Sequence, residues 1–106
     1  MLVDQRQTTR KILRAKAVVV MDGAQPAPAR TIDLGPTGMS VTMSHMVPSG
    51  QLGQISFEMF VDGKPVIISC RSKVTYCIFS GDDVKVGLQF INPDAAAVAA
   101  IGKFMR

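Results

Sequence analysis

The chain has 106 residues, 47% of them hydrophobic and 19% charged, a globular composition with room for one core and not two. Its formal net charge of +4 sits in residues 1–16, where Arg6, Arg10, Lys11, Arg14 and Lys16 face only Asp4, while the remaining basic and acidic side chains cancel. No apolar run approaches the roughly 20 residues that span a bilayer, and residues 1–16 lack the apolar stretch of a signal peptide. A cytoplasmic protein without membrane insertion is expected.

Residues 1–16 are expected to form a flexible basic head, with a single folded domain over 12–106. Ile12 to Met21 predicts a first strand closing on Val18-Val19-Val20. Asp22 to Ala29, with Gly23, Pro26 and Pro28, predicts a loop. Arg30 to Leu34 predicts a short strand that enters the turn Gly35-Pro36-Thr37-Gly38. Met39, Val41 and Met43 then alternate with Ser40, Thr42 and Ser44, the period of a half-buried strand, and Pro48-Ser49-Gly50 ends it. Ile55, Phe57, Met59 and Val61 mark another strand from about Gln51, and Asp62-Gly63 is a hairpin turn. A long strand follows over Pro65 to Phe79, expected to bend near Arg71-Ser72-Lys73. After Gly81-Asp82-Asp83, Val86, Leu88 and Phe90 alternate in the last strand. Asn92-Pro93-Asp94 predicts an N-cap, a proline at the first helical position and an acid in the first turn. The alanine-rich segment to Met105, with Val98, Ile101 and Phe104 at helical spacing, predicts one helix. The fold class is all-β: about six antiparallel strands in a small closed barrel with a C-terminal α-helix.

Most chemically tempting residues reduce to structure. Cys70 and Cys77 lie in one extended stretch, so their α-carbons are roughly 20 Å apart, beyond disulfide reach, and with one histidine they match no zinc spacing. Buried thiols are expected. His45 has no cysteine or carboxylate at catalytic or ligand spacing, the methionines read as core filler, and Asp82 and Asp83 read as turn residues. No nucleophile–base set, paired catalytic carboxylates or phosphate-cradling glycine loop occurs. No catalytic residue, metal or cofactor is expected, and the chain does not read as an enzyme.

Two features do carry chemistry. Arg6 and Arg10 stand four residues apart, and a guanidinium fork grips phosphate or the acceptor edge of guanine with two parallel hydrogen bonds. Asp33 opens a glycine-bounded turn, Asp33-Leu34-Gly35-Pro36-Thr37-Gly38, and its two oxygens can accept from a base's N–H groups. Together they point to a receptor for a small anionic guanine nucleotide.

Arg6-Gln7-Thr8-Thr9-Arg10 followed by that turn resembles the pattern of the PilZ domain, the bacterial receptor module for cyclic diguanylate (c-di-GMP): Arg-x-x-x-Arg, then Asp/Asn-x-Ser-x-x-Gly. The likeness continues through the Gly50 turn, Val86-Gly87-Leu88-Gln89-Phe90 and the closing helix. It implies a six-stranded antiparallel PilZ-type barrel and a c-di-GMP site at Arg6, Arg10, Asp33, Gly35 and Gly38. By similarity, the arginines clamp guanine edges and phosphates, Asp33 holds a guanine, and Gly38 lets the backbone turn at positive φ and approach the base. Arg10-Lys11-Ile12-Leu13-Arg14 is an overlapping second match; Arg6 with Arg10 is preferred because Arg14 falls in the first strand's alternation. Gly35 departs from the family's serine and removes a hydroxyl. Gln5 rather than arginine precedes the pair, which favours one bound ligand molecule.

The resemblance thus implies a c-di-GMP receptor, monomer or weak dimer, whose head closes over ligand and signals to an effector protein in motility or biofilm regulation. The alternative is a PilZ adaptor acting by protein contact alone. A single-stranded nucleic-acid binder is disfavoured, because five Phe, one Tyr and no Trp, mostly in core-facing positions, leave little for a stacking platform.

Overall fold

The computed structural model describes residues 10–106. Its elements are β1 (Lys11–Ile12), β2 (Lys16–Met21), β3 (Ala27–Leu34), β4 (Gly38–Met43), β5 (Leu52–Val61), β6 (Lys64–Ser80), β7 (Asp83–Phe90) and α1 (Ala95–Phe104). All strand pairings are antiparallel, and the sequence β3-β2-β5-β6-β7-β4 closes on itself through β3 and β4. Six strands therefore make a barrel, as the alternation and the family resemblance implied, and β1 is an additional short strand. Closure leaves no open edge in the ring.

The barrel interior takes one side chain in two from each strand. Phe57, Leu34, Met39, Ile55 and Met59 are each at most 2% exposed, and burying a side chain of this size contributes about 1.5–3 kcal/mol. Met21 and Met43 join them in the core. Met46 departs from the expectation of core filler: it is 48% exposed, in the loop after β4. Cys70 is buried while Cys77 is half-buried, and both are free thiols. Burial pushes the Cys70 thiol up, with a further contribution from the charge of Asp94.

The expected first strand is interrupted. β1 pairs with Asp33 and Leu34, β2 pairs with Ala27 to Arg30, and both run along one side of β3. Between them the buried Thr31 takes over the ladder. Its Oγ1 accepts from the Ala15 amide at 2.8 Å and donates to the Leu13 carbonyl. Thr31 N donates to the Ala15 carbonyl and Leu13 N to the Ile32 carbonyl. The alternation alone could not reveal this break, because Leu13 is buried and Arg14 exposed just as in a strand. Arg14 consequently lies in the break and not in the strand.

β3 begins three residues earlier than expected, and β2 and β3 are joined by a tight turn rather than an eight-residue loop. Pro28 is tolerated there with its ring on the outer, exposed side. The turn is braced by Asp22, whose carboxylate accepts both Arg71 Nη1 at 2.8 Å and Nη2 at 2.9 Å. That guanidinium holds the Asp22 carboxyl below its ordinary range. β6 bends at a bulge between Val74 and Tyr76, beyond the expected Arg71–Lys73. Asp62 and Gly63 both have positive φ in the β5–β6 hairpin, as a two-residue primed turn demands.

The helix starts later than the Asn92 signal implies. Asn92 has φ of 46°, and Asp94 is the N-cap, accepting from the Ala97 amide at 2.8 Å. The side facing the barrel is Ala97 and Ile101, with Phe104 half-buried, whereas Val98 is 55% exposed. α1 packs on β5 and β6, with a groove between its first turn and Val66–Ser69. Its last turn meets β1: Lys11 Nζ donates to the carbonyls of Phe104 at 3.2 Å and Arg106 at 2.8 Å, a cation where a helix terminus favours one. Among the described residues no helix is long and apolar enough to cross a membrane.

Candidate functional site

Asp33 faces outward at the end of β3 because the strand carries a bulge between Thr31 and Asp33. Without it Asp33 and the buried Thr31 would share a face. The break at residues 13–15 then sets β1 beside this end of β3 and carries Arg10 to it. Arg10 Nη1 donates to Asp33 Oδ1 at 2.9 Å, with the two side chains 39% and 22% exposed. Two groups 23 positions apart are thereby joined. Arg6 lies outside the described residues.

The turn after Asp33 is closed by Gly35 N donating to the Gly38 carbonyl at 2.9 Å, and Thr37 O accepts from Phe90 N at 2.9 Å. Gly38 does not act as expected. Neither it nor Gly35 has positive φ; Gly38 is the first residue of β4, buried opposite Gln89. A Cβ there would collide with the Leu88 carbonyl of β7. The glycine is required by the close approach of two strands, not by a left-handed turn.

Sequence reasoning missed the neighbour of this turn. On the outer face Asp33 is opposite Ser40, Ser40 opposite Gly87, and Gly87 opposite Tyr76. Tyr76 reaches this face through the β6 bulge; in regular alternation it would follow Val74 into the core. Its ring occupies the space a Gly87 side chain would fill, and its hydroxyl lies 3.2 Å from Ser40 Oγ. Ser40 is only 3% exposed beneath it. The sequence held one clue, a tyrosine breaking the polar-out, apolar-in pattern of a long strand.

The result is a shallow shelf with the Asp33 acceptor and the Arg10 guanidinium at one end and, at the other, the Tyr76 ring covering Ser40 and Gly87. A groove of about 530 Å³ lies beside this shelf and is lined by Lys16, Val18, Arg30, Thr42, Ser44 and Asp83 among others. His45 is exposed in the loop after β4, its Nδ1 3.5 Å from Ser44 Oγ, and Asp82 and Asp83 lie at the β6–β7 hairpin. Among the described residues no three His, Cys, Asp or Glu side chains cluster as a metal site.

The family model of the PilZ domain matches residues 4–106. The chain belongs to the PilZ domain family. Solved structures share the fold of this PilZ domain at low identity. The inhibitor of motility MotI/DgrA of Bacillus subtilis superposes with a TM-score of 0.83 at 12% identity, over 95% of this chain and 49% of that one. YcgR of Escherichia coli in complex with c-di-GMP gives 0.78 at 14% identity, over 97% and 45%. The isolated PilZ domain of YcgR with c-di-GMP gives 0.73 at 13% identity, over 95% and 88%. The chain thus spans about half the length of the first two proteins. No curated protein sequence matches it.

Proposed function

We infer that this PilZ domain is a receptor for c-di-GMP, and the observation that carries the reading is the 2.9 Å contact of Arg10 with Asp33. It brings one residue from each half of the family pattern together on one surface, in the row that ends in the Tyr76 ring. A guanine placed against Asp33 would present its N1–H and N2–H2 to the carboxylate. Tyr76 would bound the base on the opposite side. Arg10, displaced from Asp33, would turn its fork to the guanine acceptor edge or a phosphate, joined by Arg6. Binding is then an exchange in which one exposed ion pair gives way to several charge-assisted hydrogen bonds.

Lys11, Ile12 and Leu13 are tied to β3 and to the last turn of α1. The hinge of the closing head therefore falls at Arg10–Lys11 in this reading, and residues 1–10 are the part that folds over ligand. An effector protein would read the surface so formed.

Gly35 supports a second reading, an adaptor without nucleotide affinity, because it removes the hydroxyl the family pattern supplies. Calorimetric titration of c-di-GMP into the wild-type protein and Asp33→Ala separates the two. The receptor reading expects micromolar or tighter binding of one molecule per chain, lost or strongly weakened in the variant. An absence of heat and of competition in both proteins would overturn it and leave the adaptor.

A further inference from the structure

The outer face carries a second row beside the shelf. Lys16 of β2 is opposite Arg30 of β3, Arg30 opposite Thr42 of β4, and Thr42 opposite Lys85 of β7. In β4 and β7 this row is two residues from Ser40 and Gly87, about 7 Å along the strands. Arg30 and Lys85 flank Thr42 on either side, their backbones about 10 Å apart across two strand spacings.

Carboxylates flank the row on two sides: Glu58 of β5 shares a groove with Lys16, and Asp83 is two residues from Lys85 along β7. Like charges directly opposite on neighbouring strands are destabilising, and Lys16 faces Arg30. Among the described residues none of the three cations joins the ion pairs Arg10–Asp33, Arg71–Asp22 or Lys103–Asp62. Lys16, Arg30 and Thr42 line the 530 Å³ groove, and Arg30 and Thr42 also line a smaller one of about 200 Å³ toward Arg14. The one carboxylate lining the larger groove is Asp83, two residues from Lys85 along β7, and Arg30, Lys16 and Thr42 line the rest of it on the side of β2, β3 and β4.

We propose that Arg30 and Lys85, with Lys16 and the Thr42 hydroxyl, form a phosphate subsite that receives the phosphodiester of the cyclic dinucleotide lying away from Arg10. The proposal rests on the receptor reading and adds to it. A ligand whose guanine occupies the Asp33 shelf must place its second phosphate on one side of that shelf. The side toward β2 and the hairpin end of β7 offers three cations that join no ion pair among the described residues, and a hydroxyl donor.

The test is calorimetric titration of c-di-GMP into wild type, Arg30→Ala, Lys85→Ala, the double variant and Arg10→Ala, at about 0.05 and 0.5 M salt, a range over which exposed charges become screened. Lys64→Ala, a cation on the β5–β6 hairpin, controls for net charge. Each single variant should bind roughly three- to tenfold more weakly and the double variant roughly ten- to a hundredfold, with a flatter salt dependence than wild type. Lys64→Ala should bind as wild type does. These side chains lie on the outer face, so thermal melting should be unchanged. The proposal is overturned if the double variant binds within about twofold of wild type while Arg10→Ala is weakened, or if Lys64→Ala weakens binding as much as Arg30→Ala. A wild-type protein that does not bind c-di-GMP sinks the receptor reading itself, a separate result.

Discussion

Replacing Arg10 by alanine should separate stability from binding. In the free protein Arg10 has one charged partner among the described residues, Asp33, and both side chains are partly solvated at 39% and 22% exposure. Such a pair contributes about 0.2–1 kcal/mol. A domain of this size shifts its midpoint by about 4–8 °C per kcal/mol, so Arg10→Ala should lower Tm by no more than that. Binding should suffer more. Loss of a charge-assisted hydrogen bond to ligand removes about 1.5–3 kcal/mol, roughly ten- to a hundredfold or somewhat more in Kd. An offset must be subtracted, because wild type breaks the Arg10–Asp33 pair to bind and the variant does not. That returns up to about fivefold, leaving a net weakening of about threefold to a hundredfold. Urea unfolding and calorimetry on the same preparations read both quantities. Unaltered affinity together with a stability loss above about 2 kcal/mol would refute the reasoning, since Arg10 would then be a structural residue.

Three further outcomes are expected. Gly35→Ser restores the hydroxyl of the family pattern and should tighten c-di-GMP binding about two- to tenfold, the worth of one neutral hydrogen bond; equal or weaker binding by calorimetry would show that the hydroxyl has no partner in the complex. Gly38→Ala should destabilise the fold by about 1–3 kcal/mol, typical of overpacking, because its Cβ meets the Leu88 carbonyl; urea unfolding equal to wild type would contradict the close β4–β7 approach. Asp22→Asn should lower thermal stability at neutral pH, where the wild-type carboxylate holds Arg71. Since the folded pKa of Asp22 is depressed below 3.8, its contribution is present above that value and is lost as pH falls through the folded pKa. The difference between variant and wild type should therefore close below pH 3.8, and a difference that persists unchanged at lower pH would refute the role of that pair.

Period-two alternation and turn residues made the barrel legible, since Ile55, Phe57 and Met59 had to face one way and Asp62-Gly63 had to turn. The irregularities were not legible, and they build the candidate site. The break at Leu13–Ala15 rests on a buried threonine hydroxyl 16 positions away from Ala15, a contact that no local pattern announces. The bulges before Asp33 and Tyr76 shift parity by one residue, so alternation places Tyr76 on the wrong face. Gly38 was recognised as required, but its physical reason lies in Leu88, which is distant in sequence. The helix start was misplaced because Asn92 and Asp94 are both good caps, and only the bond to Ala97 distinguishes them.

Both bulges flank the same row, Ser40 and Gly87, one in β3 and one in β6. A closed six-stranded ring resists deformation because every strand is hydrogen-bonded on both sides. Its outer face can be re-aimed cheaply only where a residue is inserted without breaking the ring. The bulge in β3 turns a carboxylate outward, the bulge in β6 turns an aromatic ring outward, and the glycines between them keep the floor low. The barrel therefore supplies a rigid shelf, and the receptor reading puts any rearrangement on binding outside the ring, in the segment before β1 and the last turn of α1. These two meet at Lys11, through its bonds to the Phe104 and Arg106 carbonyls. In the receptor reading a head closing over the shelf would pull on that junction, and an effector protein touching the head and the end of the helix would sense occupancy.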